Sequence, residues 1–169
     1  MSDPRPEKHG VSVMNKRFVI HLIKTLIFCN GMASVLCTVF ILMFMMFTGS
    51  GKITAVTGIT YTAMAVYAGR LASKGLPASA AARYIPPAIP AAVTMTAWIL
   101  CLALAGGSFA ADESAFDLYA ASQFTHFAVI SVCKAGGAYL QAFLLPLFFN
   151  LIFLISFTAF ERRGKERAV

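Results

Sequence analysis

Four long apolar segments constrain the fold of this chain more than any other feature. They cover residues 25–47, 53–71, about 86–106 and 138–160. Because a helix rises ~1.5 Å per residue and the core of a bilayer is ~30 Å thick, each segment is long enough to cross a membrane as a helix. Hydrophobic residues make up 59% of the 169 residues, more than a soluble domain of this size can bury. The sequence therefore predicts an all-α integral membrane protein.

Basic residues predict the orientation of the spans. With four transmembrane helices both termini share one side, together with most lysines and arginines: Arg5, Lys8, Lys16, Arg17, Lys24, Arg70, Lys74, Arg83, Arg162, Arg163, Lys165 and Arg167. A fifth span would place the basic C-terminal tail outside. Since cytoplasmic loops are enriched in lysine and arginine, we expect four spans in a plasma membrane, of the bacterial inner-membrane type, with both termini cytoplasmic.

Two short tails flank the predicted helical bundle of residues 17–160. Residues 1–16 are polar and residues 161–169 are basic, and both tails are expected in the cytoplasm. Arg17 and His21 share a helical face at the start of the bundle. This pattern predicts a short amphipathic lead-in at the lipid headgroups before the first span.

The segment 118–134 is too polar for an easy span and too apolar for an ordinary loop. Ser122, His126 and Cys133 fall on one helical stripe, at positions i, i+4 and i+11. We therefore expect one amphipathic helix here, either interfacial on the outer side or re-entrant and packed against the bundle. The glycine pair at 136–137 is expected to end this helix before the last span.

The second and third spans carry features of helix packing. Small residues recur along the second span, and such a ridge lets two helix backbones approach closely in a bilayer: Thr54, Gly58, Ala65, Ala68 and Ala72. Within this ridge, we expect Gly58 to lie at a close helix contact. The prolines of the third span are expected in its opening turn, where missing amide donors cost least: Pro86, Pro87 and Pro90.

Asn150 lies near the centre of the last predicted span. Pro146, four residues earlier, removes an amide donor from the helix and should kink it. Asn150 beside such a kink could form a ligand site. It could equally be a clasp between helices, with Asn30, Thr94 or Thr96 as its partner. The clasp is the commoner use of a polar residue in a membrane bundle, and we favour it.

His126 suggests a hydrogen-bonding residue at the interface or facing the bundle, or else a proton or ligand site. We favour the first, because an interfacial segment places this residue near water. A haem held by His21 and His126 would need both rings at one iron, but they are predicted at opposite faces of the membrane, so no cofactor is expected. The four cysteines lack the paired spacing of a metal site, so no metal is expected either.

Catalytic patterns are not apparent in the sequence, which has no nucleophile beside a base and no paired carboxylates within the apolar part. We therefore expect a non-enzymatic protein. The basic residues form no stripe on a soluble face, which argues against nucleic acid as a partner. Short loops and the small-residue ridge favour a component of a larger membrane assembly, with the lipid bilayer and other membrane subunits as partners. The alternative is a small oligomeric transporter or channel that uses His126, Pro146 and Asn150 along its pathway, although such proteins usually show an internal repeat.

A second alternative comes from the segment GGSFAAD at residues 106–112. Ser108 and Ala110 have the spacing that signal peptidase reads, and cleavage there would release a product of two hydrophobic helices beginning near Ala111. Such a product resembles the pilins of conjugation and type IV secretion systems. The resemblance concerns the last third of the chain, and it implies a secretion-system component in the membrane.

Overall fold

The computed structural model describes residues 8–48, 53–107, 113–123, 126–135 and 139–166. Within these ranges the backbone is helical apart from short turns, and no strand is present. The all-α prediction is thus confirmed. The helical elements are α1 (Lys8–Ile23), a π-helical segment (Lys24–Gly31), α2 (Met32–Thr48), α3 (Ile53–Ala72), α4 (Ala80–Leu104), α5 (Glu113–Ser122), α6 (Phe127–Ala135) and α7 (Tyr139–Glu166).

In the described part of the chain, three helical stretches are long and apolar enough to cross a membrane: Lys16–Met43, Ala80–Leu104 and Tyr139–Gly164. They correspond to the first, third and last predicted spans. The second predicted span is α3, which has 20 residues but is diluted by threonine and tyrosine. The structure therefore agrees with a membrane protein, while a fourth span stays a prediction.

The first helix and α7 run antiparallel. His21 packs its ring against Phe157, and Asn30, further along the same helix, reaches back to Asn150. α1, the π segment and α2 follow one another without a break from Lys8 to Thr48. The helix therefore begins well before residue 17, and the predicted polar tail is helical from residue 8.

α3 lies against α7 and runs parallel to it. Tyr61 packs on Phe149, and one end of α3 places Gly69 beside Ser156. A Cβ added at Gly69 would lie only 2.7 Å from the Cβ of Ser156 and 2.8 Å from the carbonyl oxygen of Phe153. Small residues of the same α3 face are fully buried, which lets the two backbones come close: Ala65, Ala68 and Ala72.

One end of the bundle collects the basic residues, and we call it the basic end. Arg83 of α4 forms an ion pair with Glu161 of α7, with 2.8 Å between Nη1 and Oε1. The hydroxyl of Tyr84 donates to the other oxygen of Glu161 over 3.0 Å. At the same end, Lys24 of the π segment donates to the carbonyl of Lys74. Further described basic side chains lie at this end, on α1, α3 and α7: Lys16, Arg17, Arg70, Arg162 and Arg163.

α4 begins earlier than the sequence predicted. Ser79 caps it, because its hydroxyl accepts the amide N–H of Ala82 over 3.1 Å. Pro86, Pro87 and Pro90 consequently lie inside the helix, and the prediction that they occupy its opening turn is wrong. At the other end α4 stops at Leu104 and is followed by two glycines with φ of 62° and 89°, so its predicted end near residues 106–107 is confirmed.

α5 and α6 form a hairpin in place of the one amphipathic helix predicted over 118–134. Their outer ends are joined by an ion pair of Asp117 with Lys134, 2.7 Å apart. The turn between them carries Gln123 towards Thr94, at the mid-level of the long helices. The stripe predicted from helical spacing is therefore broken between Ser122 and Phe127. The predicted glycine break at 136–137 lies outside the described residues.

The last helix continues beyond the predicted span. α7 extends to Glu166, so most of the predicted basic tail is helical, and residues 167–169 lie outside the described residues. Its buried face is largely aromatic and forms the centre of the bundle against α3, α4 and the hairpin: Phe143, Phe149, Phe153 and Phe157.

Candidate functional site

Four uncharged polar side chains meet inside the bundle, and we call them the central polar cluster: Asn30, Thr94, Gln123 and Asn150. Asn30 Nδ2 donates to Asn150 Oδ1 over 2.7 Å. Asn150 Nδ2 donates to the Thr94 hydroxyl, and the Thr94 hydroxyl donates to Gln123 Oε1, over 2.9 and 2.8 Å. All four residues are buried, at 1–3% exposure. A continuous hydrogen-bonded chain therefore links the π segment, α4 and α7 with the residue that follows α5.

Asn150 is placed where the sequence suggested a clasp between helices. Two of its three suggested partners, Asn30 and Thr94, contact it, whereas Thr96 is exposed on α4. The carbonyl of Pro146 accepts a further hydrogen bond from Asn150 Nδ2 over 2.9 Å. Asn150 therefore donates both amide hydrogens of Nδ2 and accepts one hydrogen bond at Oδ1.

Irregular backbone brings the other members of the cluster to this point. Asn30 lies in the π-helical segment, where the amide of Met32 bonds to the carbonyl of Ile27, five residues back. Such segments are rare and occur often at functional sites. Gln123 lies where α5 ends, at the turn of the hairpin. Hydropathy predicts neither the π-helical segment nor the turn after α5. The sequence analysis consequently did not identify Gln123 as a site residue.

The cluster lies at the mid-level of all three candidate spans. Asn30 is at the midpoint of Lys16–Met43, which falls between residues 29 and 30. Thr94 is two residues from the midpoint of Ala80–Leu104, and Asn150 is within two residues of the midpoint of Tyr139–Gly164. Hydrogen bonds at this depth have no competition from water if the spans cross a bilayer, so the cluster also stabilises the packing of the helices.

A cavity of about 570 Å³ adjoins the cluster. Its polar floor is formed by the cluster itself with Ser122, and its walls are apolar side chains of the π segment, α2 and α4. No charged side chain of the described residues lines it. The arrangement can hold a molecule that is mainly apolar and makes a few directed hydrogen bonds.

His126 lies in the bundle interior rather than at an outer interface. Its ring is 1% exposed and packs between Tyr61 and Phe149. Nδ1 shares a hydrogen bond of 3.0 Å with the hydroxyl of Ser34, and Nε2 has no hydrogen-bond partner among the described residues. No acid lies among these neighbours, so burial favours the neutral imidazole.

His21 and His126 do not approach one another. His21 packs on Phe157 and His126 on Phe149, which are eight residues apart on α7 and so separated by about 12 Å along its axis. Groups of three or more potential metal ligands are absent from the described part of the chain.

Gly58 is not at a close contact within the chain, since a Cβ added there would meet no atom within 4 Å. The proposed signal-peptidase site around Ser108 and Ala110 lies outside the described residues. Comparison of the chain with models of protein families, with curated proteins and with solved structures found no match.

Proposed function

We propose that the chain is a non-enzymatic membrane protein that binds a small uncharged molecule at the central polar cluster, as the binding centre of a transporter does. One observation carries this proposal: polar side chains from three helical elements and from the turn after α5 meet at mid-level beside a cavity of about 570 Å³. That volume lies within the usual range of small-molecule sites, about 300–1,000 Å³. Binding centres of transporters also lie near the midplane and use interrupted helices.

The proposed membrane arrangement has four spans, with the basic end in the cytoplasm of a bacterial type of plasma membrane. Three spans meet the hydropathy criterion, and α3 runs beside α7 over most of its length. With α3 as the fourth span, both termini and the α3–α4 loop lie at the basic end, which agrees with the positive-inside rule. The α5–α6 hairpin is then re-entrant, since Gln123, where α5 ends, contacts Thr94 at the mid-level of α4.

The distribution of acids supports a non-enzymatic role. Asp117, Glu161 and Glu166 are the acids whose side chains the structure describes. Asp117 lies at the outer end of the hairpin, and the two glutamates lie at the basic end. None of the three lies beside the cluster, so the described residues offer it no carboxylate for general acid or base catalysis.

The test compares two variants of α4 that add the same ring. Val93→Phe fills part of the cavity, because Val93 lines it. Ile99 does not line the cavity and is 53% exposed, compared with 52% for Val93, so Ile99→Phe is the matched control. Each protein is extracted from its native membrane into polymer discs without detergent. Molecules that remain bound are then released and identified by mass spectrometry.

We expect the wild type and Ile99→Phe to retain the same uncharged molecule at about one per chain, and Val93→Phe to lose it. If the wild type retains none, or if Val93→Phe retains as much as the wild type, the cluster is a clasp between helices and no binding centre.

A component of a larger membrane assembly is the second candidate function, and Gly58 favours it. The alanines of the small-residue ridge are buried within the chain, but Gly58 leaves open space on α3 next to Ile59, which is 70% exposed. A helix of another subunit can approach closely at such a position. Gly58→Leu should then abolish co-purification of partner subunits while membrane expression persists. Unchanged co-purification would refute a contact at this position.

A further inference from the structure

A second cavity, of about 500 Å³, lies on the α5–α6 hairpin, and we call it the hairpin groove. Its floor is apolar and buried, with Phe116 of α5 and Ile130 of α6 at 0–1% exposure. Phe127 and Tyr139 also line it and are 51% and 42% exposed. The groove is therefore open along the surface of the bundle, and none of its lining residues lines the cavity beside the central polar cluster.

The hairpin groove runs from the mid-level of the bundle to its outer end. At the inner end, Phe127 follows His126, whose ring contacts Phe149 of α7 next to the central polar cluster. At the outer end, Phe116 packs on Tyr139 with 5.6 Å between the ring centroids, and Tyr139 is the first residue of a candidate span. With the hairpin in a bilayer, the inner end lies among acyl chains and the outer end lies at the headgroups.

The outer end of the groove carries one charge of each sign. Lys134 Nζ donates to Asp117 Oδ1 over 2.7 Å and lies 5.4 Å from the centroid of the Phe116 ring. The Asp117 side chain is 63% exposed, and its second oxygen accepts no hydrogen bond from the described residues. Asp117 can therefore accept a hydrogen bond from a bound cation while it keeps Lys134. Among the described residues that line the groove, these two are the charged ones, so its charges cancel.

The two charges select a headgroup that also carries both signs. An anionic headgroup without a cation would lie beside the Asp117 carboxylate and give it no partner. A choline headgroup carries a quaternary ammonium, which has no N–H to donate. An ethanolamine headgroup has a phosphate that pairs with Lys134 and a primary ammonium with three N–H donors for Asp117.

We propose that the hairpin groove binds a phospholipid with an ethanolamine headgroup. Its phosphate pairs with Lys134 and its ammonium with Asp117, while one acyl chain lies over Ile130 towards Phe127. Phe127 and Lys134 are seven residues apart on α6, a rise of about 10 Å, so the first part of an acyl chain lies within the groove. The inference concerns a different site from the proposed function and rests on it only for the placement of the hairpin in the bilayer.

The experiment uses two photoreactive phospholipids that share one diazirine-bearing acyl chain and differ only in the headgroup, ethanolamine or choline. Full-length protein is placed in nanodiscs of phosphatidylcholine, and each probe is added at the same small mole fraction. After irradiation the labelled residues are mapped by mass spectrometry. Segment 99–104 of α4 is the internal reference, because its residues Ile99, Leu100 and Leu104 are exposed and line neither cavity.

We expect the ethanolamine probe to label the segments 116–120 and 127–134 about fivefold more than the choline probe, because only the ethanolamine headgroup donates to Asp117. The two probes should label the reference segment equally. Unlabelled phosphatidylethanolamine should compete with the ethanolamine probe in the groove. Asp117→Asn should bring the ratio of the two probes close to one, whereas Lys134→Gln should lower labelling by both, since both carry the phosphate.

A pair of hairpin variants tests the groove itself. Ser131 lines the groove and Ala121 does not, and both residues are exposed. Ser131→Phe should remove the labelling of the groove by both probes, because its ring occupies the place of the acyl chain. Ala121→Phe should leave the labelling unchanged.

Two results would overturn the inference in different ways. Equal labelling of the groove by the two probes in the wild type would refute ethanolamine as the recognised group. Labelling that persists at full strength in Ser131→Phe would refute the groove as the site. Neither result bears on the proposed function, which Val93→Phe tests at the other cavity, so the two proposals fail separately. If Asp117→Asn does not fold, the comparison of the two probes on the wild type still decides the class of lipid.

Discussion

Gly69→Ala tests the close contact between α3 and α7. The added Cβ would lie 2.7 Å from the Cβ of Ser156 and 2.8 Å from two backbone atoms of α7, the oxygen of Phe153 and the nitrogen of Phe157. Carbon atoms pack best at about 3.5–4.0 Å. Backbone atoms of a helix cannot rotate away as a side chain can, so α3 and α7 must separate by roughly 1 Å.

The expected magnitude follows from two opposing terms. Overpacking of a fitted contact costs about 1–3 kcal/mol, and alanine gains roughly 1 kcal/mol over glycine in a helix. Gly58→Ala is the matched control, because it lies on the same helix and its Cβ would meet no atom within 4 Å. Both variants gain the same helix propensity, so the difference between their free energies of unfolding isolates the steric term, about 2 kcal/mol.

Unfolding can be followed in mixed micelles by titration with a denaturing detergent. The chain has one tryptophan, Trp98, which packs against the core and reports the loss of tertiary structure. We expect Gly58→Ala to be as stable as the wild type or slightly more stable, and Gly69→Ala to unfold at lower denaturant. Equal stability of the two alanine variants would show that α3 and α7 do not pack backbone to backbone at Gly69.

Three further predictions concern orientation, His126 and the basic end. A reporter active only outside the cytoplasm should be silent when fused after Val169 and active near Glu113, and activity at the C-terminal fusion would restore five spans. His126 is buried with no acid among its neighbours, so protonation of its ring favours the unfolded chain. Below about pH 6.5 the free energy of unfolding of the wild type should therefore fall by up to ~1.4 kcal/mol per pH unit more than that of His126→Gln. The same dependence of unfolding free energy on pH in both proteins would contradict this. Glu161→Gln should lower the free energy of unfolding by about 1–3 kcal/mol, because Arg83 loses its buried carboxylate partner. Glu166 is exposed, so Glu166→Gln should leave that free energy unchanged. Equal stability of the two variants would show that the ion pair does not stabilise the protein.

The depth of polar residues was predictable from the sequence. Asn30, Thr94 and Asn150 each lie near the middle of an apolar segment, and helices that cross the same bilayer bring residues of equal depth to one level. The sequence suggested Asn30, Thr94 or Thr96 as the partner of Asn150, and two of the three contact it. The sequence did not distinguish Thr94 from Thr96. These residues are two positions apart, so their side chains point about 200° apart around the helix axis, and hydropathy does not show which side of the helix faces the bundle.

Gln123 and the cavity were not predictable in the same way. Helical spacing joined Ser122, His126 and Cys133 into one stripe, but the chain turns back between Ser122 and Phe127. Gln123 and His126, which lie between α5 and α6, are buried by the surrounding helices, whereas Ser122 and Ser131 are exposed. The unusual polarity of 118–134 was the available signal, and it pointed to the segment without showing that its centre is buried.

Local properties of the chain decided the class of protein, the approximate positions of the long helices and the clustering of basic residues near their ends. Hydropathy, length and charge are read residue by residue, so the sequence by itself is sufficient for them. The tertiary structure decided which glycine meets α7, where α4 begins relative to its prolines, and that the central polar cluster adjoins a cavity. These features depend on which faces of distant helices meet, and that outcome is settled by the packing of all side chains together.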